Sequence, residues 1–461
     1  SDSDSQQDVI EVLFDKQQDK RRRASMVART SCFVHTLLEK GGDDDGDVRA
    51  AQTKYDRLGD KNAASAPHTQ SRLLTKTQLS DVAFDIREMS KKLSRFRLML
   101  KVRNVFILTK VHDKSLILKA KSVTEWLLQQ KNPDGQPYNV WVEETMRDND
   151  AFDAPGIIAR DETCTHRLRY WTTEMCRSKP QTFEICLCLG GDGTVLYASW
   201  LFQRIVPPVL SFALGSLGFL TKFDFCNYPV SLTRAFAEGV TVSLRLRFEA
   251  TVMRSKDRDA PAGEQAPPRD LVEELVGEHA DDSSHSPCGR GSLNVMNDIV
   301  LDRGPNPTMS SIEIFGGDEY FTVVQADGVC VATPTGSTAY NLAAGGSLCH
   351  PENPVMLVTA IAPHTLSFRP IILPDSTVLR LGVPYDARAS CWASFDGKER
   401  TELKPGDYVT ISASRFPFPS VLPLDRKGED WVDSISRTLN WNNRQRQKRF
   451  DDAAKEGGGK D

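Results

Sequence analysis

The sequence predicts an α/β unit with a parallel, Rossmann-like sheet, followed by a β-rich, sandwich-like unit. Three observations carry this reading. Between residues 102 and 212, short apolar runs alternate with stretches of helical periodicity, the pattern of a parallel sheet covered on both faces. After about Thr241 the rhythm becomes strand upon strand, with Gly, Asp and Pro at the turns. The two ends of the chain lack the apolar periodicity needed to offset the entropy of ordering.

Along the chain, residues 1–74 are polar and charged, with tracts such as Gly41-Gly42-Asp43-Asp44-Asp45-Gly46, and are expected to be mostly disordered. Within them Arg21-Arg22-Arg23-Ala24-Ser25 reads equally as a basophilic phosphorylation site at Ser25 or as a solvated basic run. Residues 75–240 form the expected α/β domain. Leu79, Val82, Ile86, Met89, Leu93 and Phe96 recur at helical spacing, giving a helix that packs on the strands of that domain. Val105–Leu108, Val140–Val142, Glu184–Leu189 and Val209–Phe212 read as buried strands, and Leu116–Gln130 as a helix. Residues 241–420 form the β-rich domain, with strands at Val242–Arg247, Val295–Leu301, Ser311–Phe315, Tyr320–Val324 and Val329–Ala332. Residues 254–292, rich in Pro, Gly, Ser and charge, are expected to be an unstructured insertion. Residues 421–461 form a C-terminal segment whose last part is a charged tail.

Composition narrows the function. The 461 residues carry a net charge of only −4, so no global basic field argues for nucleic acid. No apolar run reaches the roughly 18–20 residues of a membrane span. The ten cysteines form no CxxC pair and no zinc-like cluster, and read as small core residues of a reducing compartment. Ser1-Asp2-Ser3-Asp4 resembles neither a secretory signal nor a transit peptide, so the cytoplasm is the expected location.

The chemistry centres on Gly190-Gly191-Asp192-Gly193-Thr194, which lies after a strand and opens a helix. Glycines let the backbone bend and let a ligand approach, and the exposed N–H groups of a helix start suit phosphate. Such a turn is as often purely structural, but Asp192 changes the balance. A carboxylate among phosphates needs a task, either helping to hold Mg²⁺ or taking a proton from an attacking hydroxyl. The loop is neither a Walker A motif nor GxGxxG.

This loop resembles that shared by NAD kinases, diacylglycerol and sphingosine kinases, and 6-phosphofructokinases. Downstream segments select among them. Leu214-Gly215-Ser216-Leu217-Gly218-Phe219-Leu220-Thr221, Asn297-Asp298, Gln325-Ala326-Asp327-Gly328, Thr333-Pro334-Thr335-Gly336-Ser337-Thr338-Ala339-Tyr340, Pro363–Pro370 and Ser394-Phe395-Asp396-Gly397-Lys398 resemble the ATP-NAD kinase family in order. Ser31-Cys32-Phe33-Val34-His35 resembles its fungal cytosolic branch. The resemblance implies transfer of the ATP γ-phosphoryl group to the 2′-hydroxyl of the adenosine ribose of NAD, or of NADH. It implies Asp192 as catalytic base, with Gly190, Gly191, Gly193 and Thr194 at the ATP phosphates and Mg²⁺ carried by ATP. It further implies that Asp192, Gly193, Asn297, Asp298, Asp327, Thr338, Ala339, Tyr340, Asn341 and Ala343 line the NAD site, Asn297-Asp298 at the adenosine and Asp327 at the nicotinamide half. A homo-oligomer without nucleic-acid or membrane partners is expected. For Asp396-Gly397 a hairpin turn is the favoured reading, and a cap by Ser337 or Thr338 is expected at the helix start. Two rivals are a lipid kinase with the same loop and a non-catalytic NADP(H) sensor.

Overall fold

The computed structural model describes residues 9–11, 71–95, 97–110, 112–256, 269–276, 284–289, 291–423 and 431–442. Strands β1 (Val9–Glu11) and β2 (Arg97–Met99) pair in parallel, and between them lies helix α1 (Lys76–Arg95). Thr75 and Gln78 cap that helix reciprocally, the Thr75 hydroxyl accepting from Gln78 N–H (3.3 Å) and the Gln78 side chain from Thr75 N–H (2.9 Å).

The α/β unit is built from β3 (Asn104–Thr109), α2 (Lys114–Gln129), β4 (Asn139–Glu143), α3 (Ala154–Arg160), β5 (Leu168–Trp171), α4 (Thr173–Ser178), β6 (Ile185–Gly190), α5 (Asp192–Leu201), β7 (Val209–Ala213), β8 (Phe223–Asp224), α6 (Tyr228–Ala237) and β9 (Thr241–Arg245). A last strand, β23 (Phe418–Leu422), returns to it from the end of the chain. The sheet order is β5-β4-β3-β6-β7-β23-β9, with β8 beside β7. Strands β3 to β8 pair in parallel. Every residue of β6 and β7 is buried, which is why those segments read as unbroken apolar runs. Strand β5 is not evident in the sequence, because Arg169 and Tyr170 break its apolar character at the sheet edge.

Two antiparallel sheets make the second unit. Their strands are β10 (Phe248–Ser255), β11 (His285–Pro287), β12 (Leu293–Val295), β13 (Asp298–Asp302), β14 (Ser310–Gly316), β15 (Glu319–Ala326), β16 (Gly328–Ala332), β17 (Val355–Ile361), β18 (Ile371–Pro374), β19 (Leu379–Gly382), β20 (Cys391–Phe395), β21 (Glu399–Leu403) and β22 (Tyr408–Ala413). One sheet runs β11-β10-β22-β19-β14-β15, with β12 also on β10; the other runs β18-β17-β16-β13-β20-β21. Residues from both inner faces, among them Ile312, Leu381 and Ile411 opposite Leu301, Val329 and Val358, share one core, so the unit is a sandwich.

Several expectations need correction. The boundary at 240/241 cuts through the first unit, because β9 and β23 complete its sheet and antiparallel pairing joins them. The expected strand 242–247 ends at Arg245 as β9, with 246–247 forming the link to β10 in another sheet, and 295–301 divides into β12 and β13 at Met296-Asn297. The 254–292 insertion is not wholly unstructured. Within it, α7 (Leu271–Val276) buries Leu271 and Leu275, one turn apart, against Met253, Phe315 and Tyr408, and β11 pairs with β10. The disorder expected for 1–74, Ser25 included, falls outside the described residues apart from β1 and the 3₁₀ turn Ser71–Leu73. The charged tail beyond residue 442 also lies outside them; before it, α9 (Trp431–Leu439) sets Trp431 on His350, ring centroids 5.3 Å apart.

Helix α1 does pack on the body, and it touches both units. Ser90 accepts from Leu244 N–H (3.4 Å), while Arg87 holds buried Asp375 through two bonds of 3.0 and 3.1 Å. Just ahead of it, the Ser71 hydroxyl donates to Glu249 at 2.7 Å.

Candidate active site

Strand β6 lies mid-sheet, and its carboxyl end delivers Gly190 to Thr194 to the edge where ligands of such sheets bind. Gly191 caps α5, which begins at Asp192. The loop has a floor and an open side. Thr194 is buried against Gly190, where any Cβ would collide with its hydroxyl, and that hydroxyl has no hydrogen-bond partner among the described residues. Gly191 and Gly193 are more open, and a Cβ on either would meet nothing within 4 Å. The protein itself therefore gives no steric reason for these two glycines, whereas an approaching phosphate does.

Asp192 is held on one side. Its Oδ1 accepts from Leu220 N–H (3.0 Å), Thr221 N–H (3.1 Å) and the Thr221 hydroxyl (3.3 Å), and its Oδ2 from Phe219 N–H (2.8 Å). Gly218 leaves room for the carboxylate, since a Cβ there would overlap it. The segment Leu214–Thr221 thus acts as a clamp on Asp192, a role its sequence does not declare.

The opposite wall comes from the sandwich. Asp396 and Gly397 both take positive φ, 50° and 65°, and form the expected turn between β20 and β21. Asp396 has a second task. Its carboxylate accepts from Met296 N–H (2.8 Å), Asn297 N–H (2.7 Å) and Asp298 N–H (3.2 Å), fixing the Asn297-Asp298 segment. Thr333 closes the other side, its N–H donating to Asn297 O (2.9 Å) and its hydroxyl to Met296 O (2.6 Å). Gly336 packs so tightly on the Asn297 carbonyl that no side chain fits. Burial, with the charge of Asp396 beside it, pushes the Asp298 carboxyl up to about 7. Burial also raises Asp396, against the pull of the three N–H groups and Arg247.

Not every predicted residue reaches this wall equally. Tyr340 is exposed, 43% accessible, and lies on α8 (Tyr340–Ala343), where Ala343 is also accessible, while Thr338 and Ala339 are half-buried. Asn341 is turned inward: it donates to Ser337 O (3.2 Å) and Ser347 O (3.0 Å) and accepts from Thr359 (2.8 Å), so it supports α8 from below. The expected side-chain cap is absent, because the Ser337 hydroxyl instead bonds Cys349, accepting from its N–H (3.0 Å) and donating to its carbonyl (3.1 Å). Asp327 lies between β15 and β16, which belong to different sheets, so it is a crossover and not a hairpin; its carboxylate pairs with Arg303 at 2.9 Å.

Three contacts bring the walls together. Lys398 sits 4.2 Å over the Tyr197 ring of α5, Gln203 exchanges bonds with Asn294 (2.8 and 2.6 Å), and Arg245 donates to Thr335 (3.3 Å). Sequence alone does not mark Arg245 as a candidate, since it is one basic residue in an apolar strand. Buried, it lies within the fields of Asp192 and Glu352, and burial lowers its pKa to about 10.

Comparison with known proteins identifies the family. Residues 105–240 match the ATP-NAD kinase N-terminal domain, and residues 296–422 the ATP-NAD kinase C-terminal domain. The chain belongs to the ATP-NAD kinase family. Relatives of this kinase include the ATP-NADH kinase YEF1 of Saccharomyces cerevisiae, 40% identical over 372 residues, covering 80% of this chain and 70% of that protein. The NAD(+) kinase of the same yeast is 38% identical over 432 residues, covering 93% and 73%. The crystal structure of yeast NADH kinase complexed with NADH superposes with a TM-score of 0.58 at 29% identity, covering 76% of this chain and 90% of that one. The two matched ranges hold the two walls, Asp192 in the first and Asn297, Asp298, Tyr340 and Asp396 in the second. The kinase is thus an ATP-dependent NAD kinase.

Proposed function

We propose that the kinase transfers the γ-phosphoryl group of ATP to the 2′-hydroxyl of the adenosine ribose of NAD, and that NADH is a second acceptor. What supports this reading is that Lys398 over the Tyr197 ring and Arg245 bonded to Thr335 hold the unit bearing Asp192 against the unit bearing the fixed Asn297-Asp298 segment. Asp192 is the base. Its Oδ1 is occupied by three donors and its Oδ2 by one, so Oδ2 is the oxygen with a lone pair left for the hydroxyl proton. Gly191 and Gly193 admit the phosphates, and Asn297, Asp298, Asp327 and Tyr340 line the dinucleotide side.

Mg²⁺ fits this site as a companion of ATP. Mg²⁺ commonly relies on one or two carboxylates, substrate phosphates and water. Bound there, it neutralises charge on the phosphates.

Two broader assignments belong to the same proposal. The exposed Tyr320 and Val323 on edge strand β15 and Ile372 on edge strand β18 support a homo-oligomer. The nine described cysteines are free thiols, which supports the cytoplasm.

Incubation of the pure protein with Mg-ATP and either NAD or NADH tests the reaction. Phosphorylated product is read with an NADP-specific dehydrogenase after the NADH reaction is reoxidised. Formation of neither product overturns the assignment.

A further inference from the structure

We infer that Arg247 is a positioning residue for phosphoryl transfer, setting the register of the Asp192 wall against the Asn297-Asp298 wall. Arg247 is fully buried in the link between β9 and β10, where the chain passes from the first sheet to the sandwich. Its guanidinium is wrapped in carbonyls. Nε donates to Phe416 O (2.6 Å), Nη1 to Phe202 O (2.9 Å) and Ser199 O (3.3 Å), and Nη2 to Gln203 O and Arg204 O (3.2 Å each).

Four of those carbonyls belong to the end of α5 and the turn after it. A cation at a helix C-terminus satisfies orphan carbonyls and complements the macrodipole. The opposite end of the same helix is Asp192, only about nine residues away, or about 14 Å. The fifth carbonyl, Phe416, lies on the return link from β22 to β23, and Ser414 N–H on that link bonds the Arg247 carbonyl at 2.8 Å. One side chain thereby ties both interdomain links to the helix that carries the base.

The second wall is reached through Asp396. The charge of Arg247 acts on that carboxylate, which holds the three N–H groups of Met296, Asn297 and Asp298. Gln203 adds a parallel brace, since its side chain and backbone bond Asn294 on β12, two residues before Met296.

The dinucleotide rests mainly on the Asn297-Asp298 wall and the ATP phosphates on the Gly190–Thr194 loop, so a lost register harms the transfer step more than it harms binding. Arg247→Met is expected to lower kcat by about 10-fold or more while the KM values for ATP and NAD stay within about threefold, because small misplacement of reacting atoms is costly. Arg247→Lys keeps the charge but not the planar fork, and is expected to recover only part of the loss. A folded Arg247→Met protein with kcat within about twofold of wild type overturns the inference, as does a KM rise that accounts for the whole defect. Far-ultraviolet circular dichroism and thermal melting establish folding. Should both Arg247 variants fail to fold, Gln203→Ala decides: a smaller fall in kcat at unchanged KM is expected, and unchanged kcat overturns the inference. Wild-type turnover measured alongside separates this outcome from failure of the proposed reaction itself.

Discussion

Two carboxylates on opposite walls solve the same local problem in different ways. Asp192 accepts three consecutive backbone N–H groups, 219 to 221, and Asp396 accepts three others, 296 to 298. Both therefore shape a neighbouring segment. They differ in what carries them. Asp192 stands at the open start of a helix, beside two accessible glycines. Asp396 stands in a tight turn, where it and Gly397 both take positive φ, and spends its carboxylate on its own protein. In the proposed reaction the first serves the chemistry, while the second supports a neighbouring segment.

Substitution separates the two roles. Asp192→Asn is expected to lower kcat by about 10²-fold or more with NAD binding retained, as general-base loss typically costs about 10²–10⁴. Coupled NADP assay and calorimetric NAD titration measure the two quantities, and near-normal turnover breaks the contrast. Asp396→Asn replaces one acceptor oxygen by a donor facing backbone N–H groups. A buried group left unsatisfied costs about 1–3 kcal/mol, so KM for NAD should rise by roughly tenfold with a smaller change in kcat. A pure kcat defect in this variant would place Asp396 with Asp192 in the chemistry.

Asp298 sharpens the comparison through pH. Its folded pKa, about 7, lies above the ordinary value of 3.8, so the folded state binds the proton more tightly than the unfolded state. Its contribution to stability is full below about pH 4 and is lost as pH rises through about 7. Denaturant titrations between about pH 5 and 8 should show wild-type stability falling relative to Asp298→Asn. Parallel profiles would mean that Asp298 is not buried beside Asp396 as described. The smallest effect is expected at the clasp between the walls, where Lys398→Met removes a cation–π contact with Tyr197 worth about 0.5–1 kcal/mol at an exposed site. Thermal melting reads that loss, and a larger fall would mean that the Trp200 ring, 5.6 Å from Lys398 Nζ, adds to it.

The buried elements are the legible ones. Strands β3, β4, β6 and β7 are evident because burial on both faces demands continuous apolar side chains, and β14, β15 and β16 because Gly and Asp turns delimit them. The edge strand β5, half exposed, has no such requirement. Helix α7 escapes notice because six residues with two buried leucines leave little period to detect. At the site, Gly190 to Thr194 and Asn297-Asp298 stand out through motif. Arg245 and Arg247 do not, since one arginine in a strand looks the same whether or not it serves a site, and the motif at 214–221 does not declare that it clamps Asp192.

By itself, then, the sequence determined the two fold classes, the phosphate loop and the family, because periodicity and contiguous motifs are written locally. Only the tertiary structure decided which sheet β9 and β23 join, that Asn341 faces inward, and that Asp192 and Asp396 each hold a distant segment. The last outcome depends on hydrogen bonds between residues 27 to 100 positions apart in the chain, and no local pattern encodes such partners.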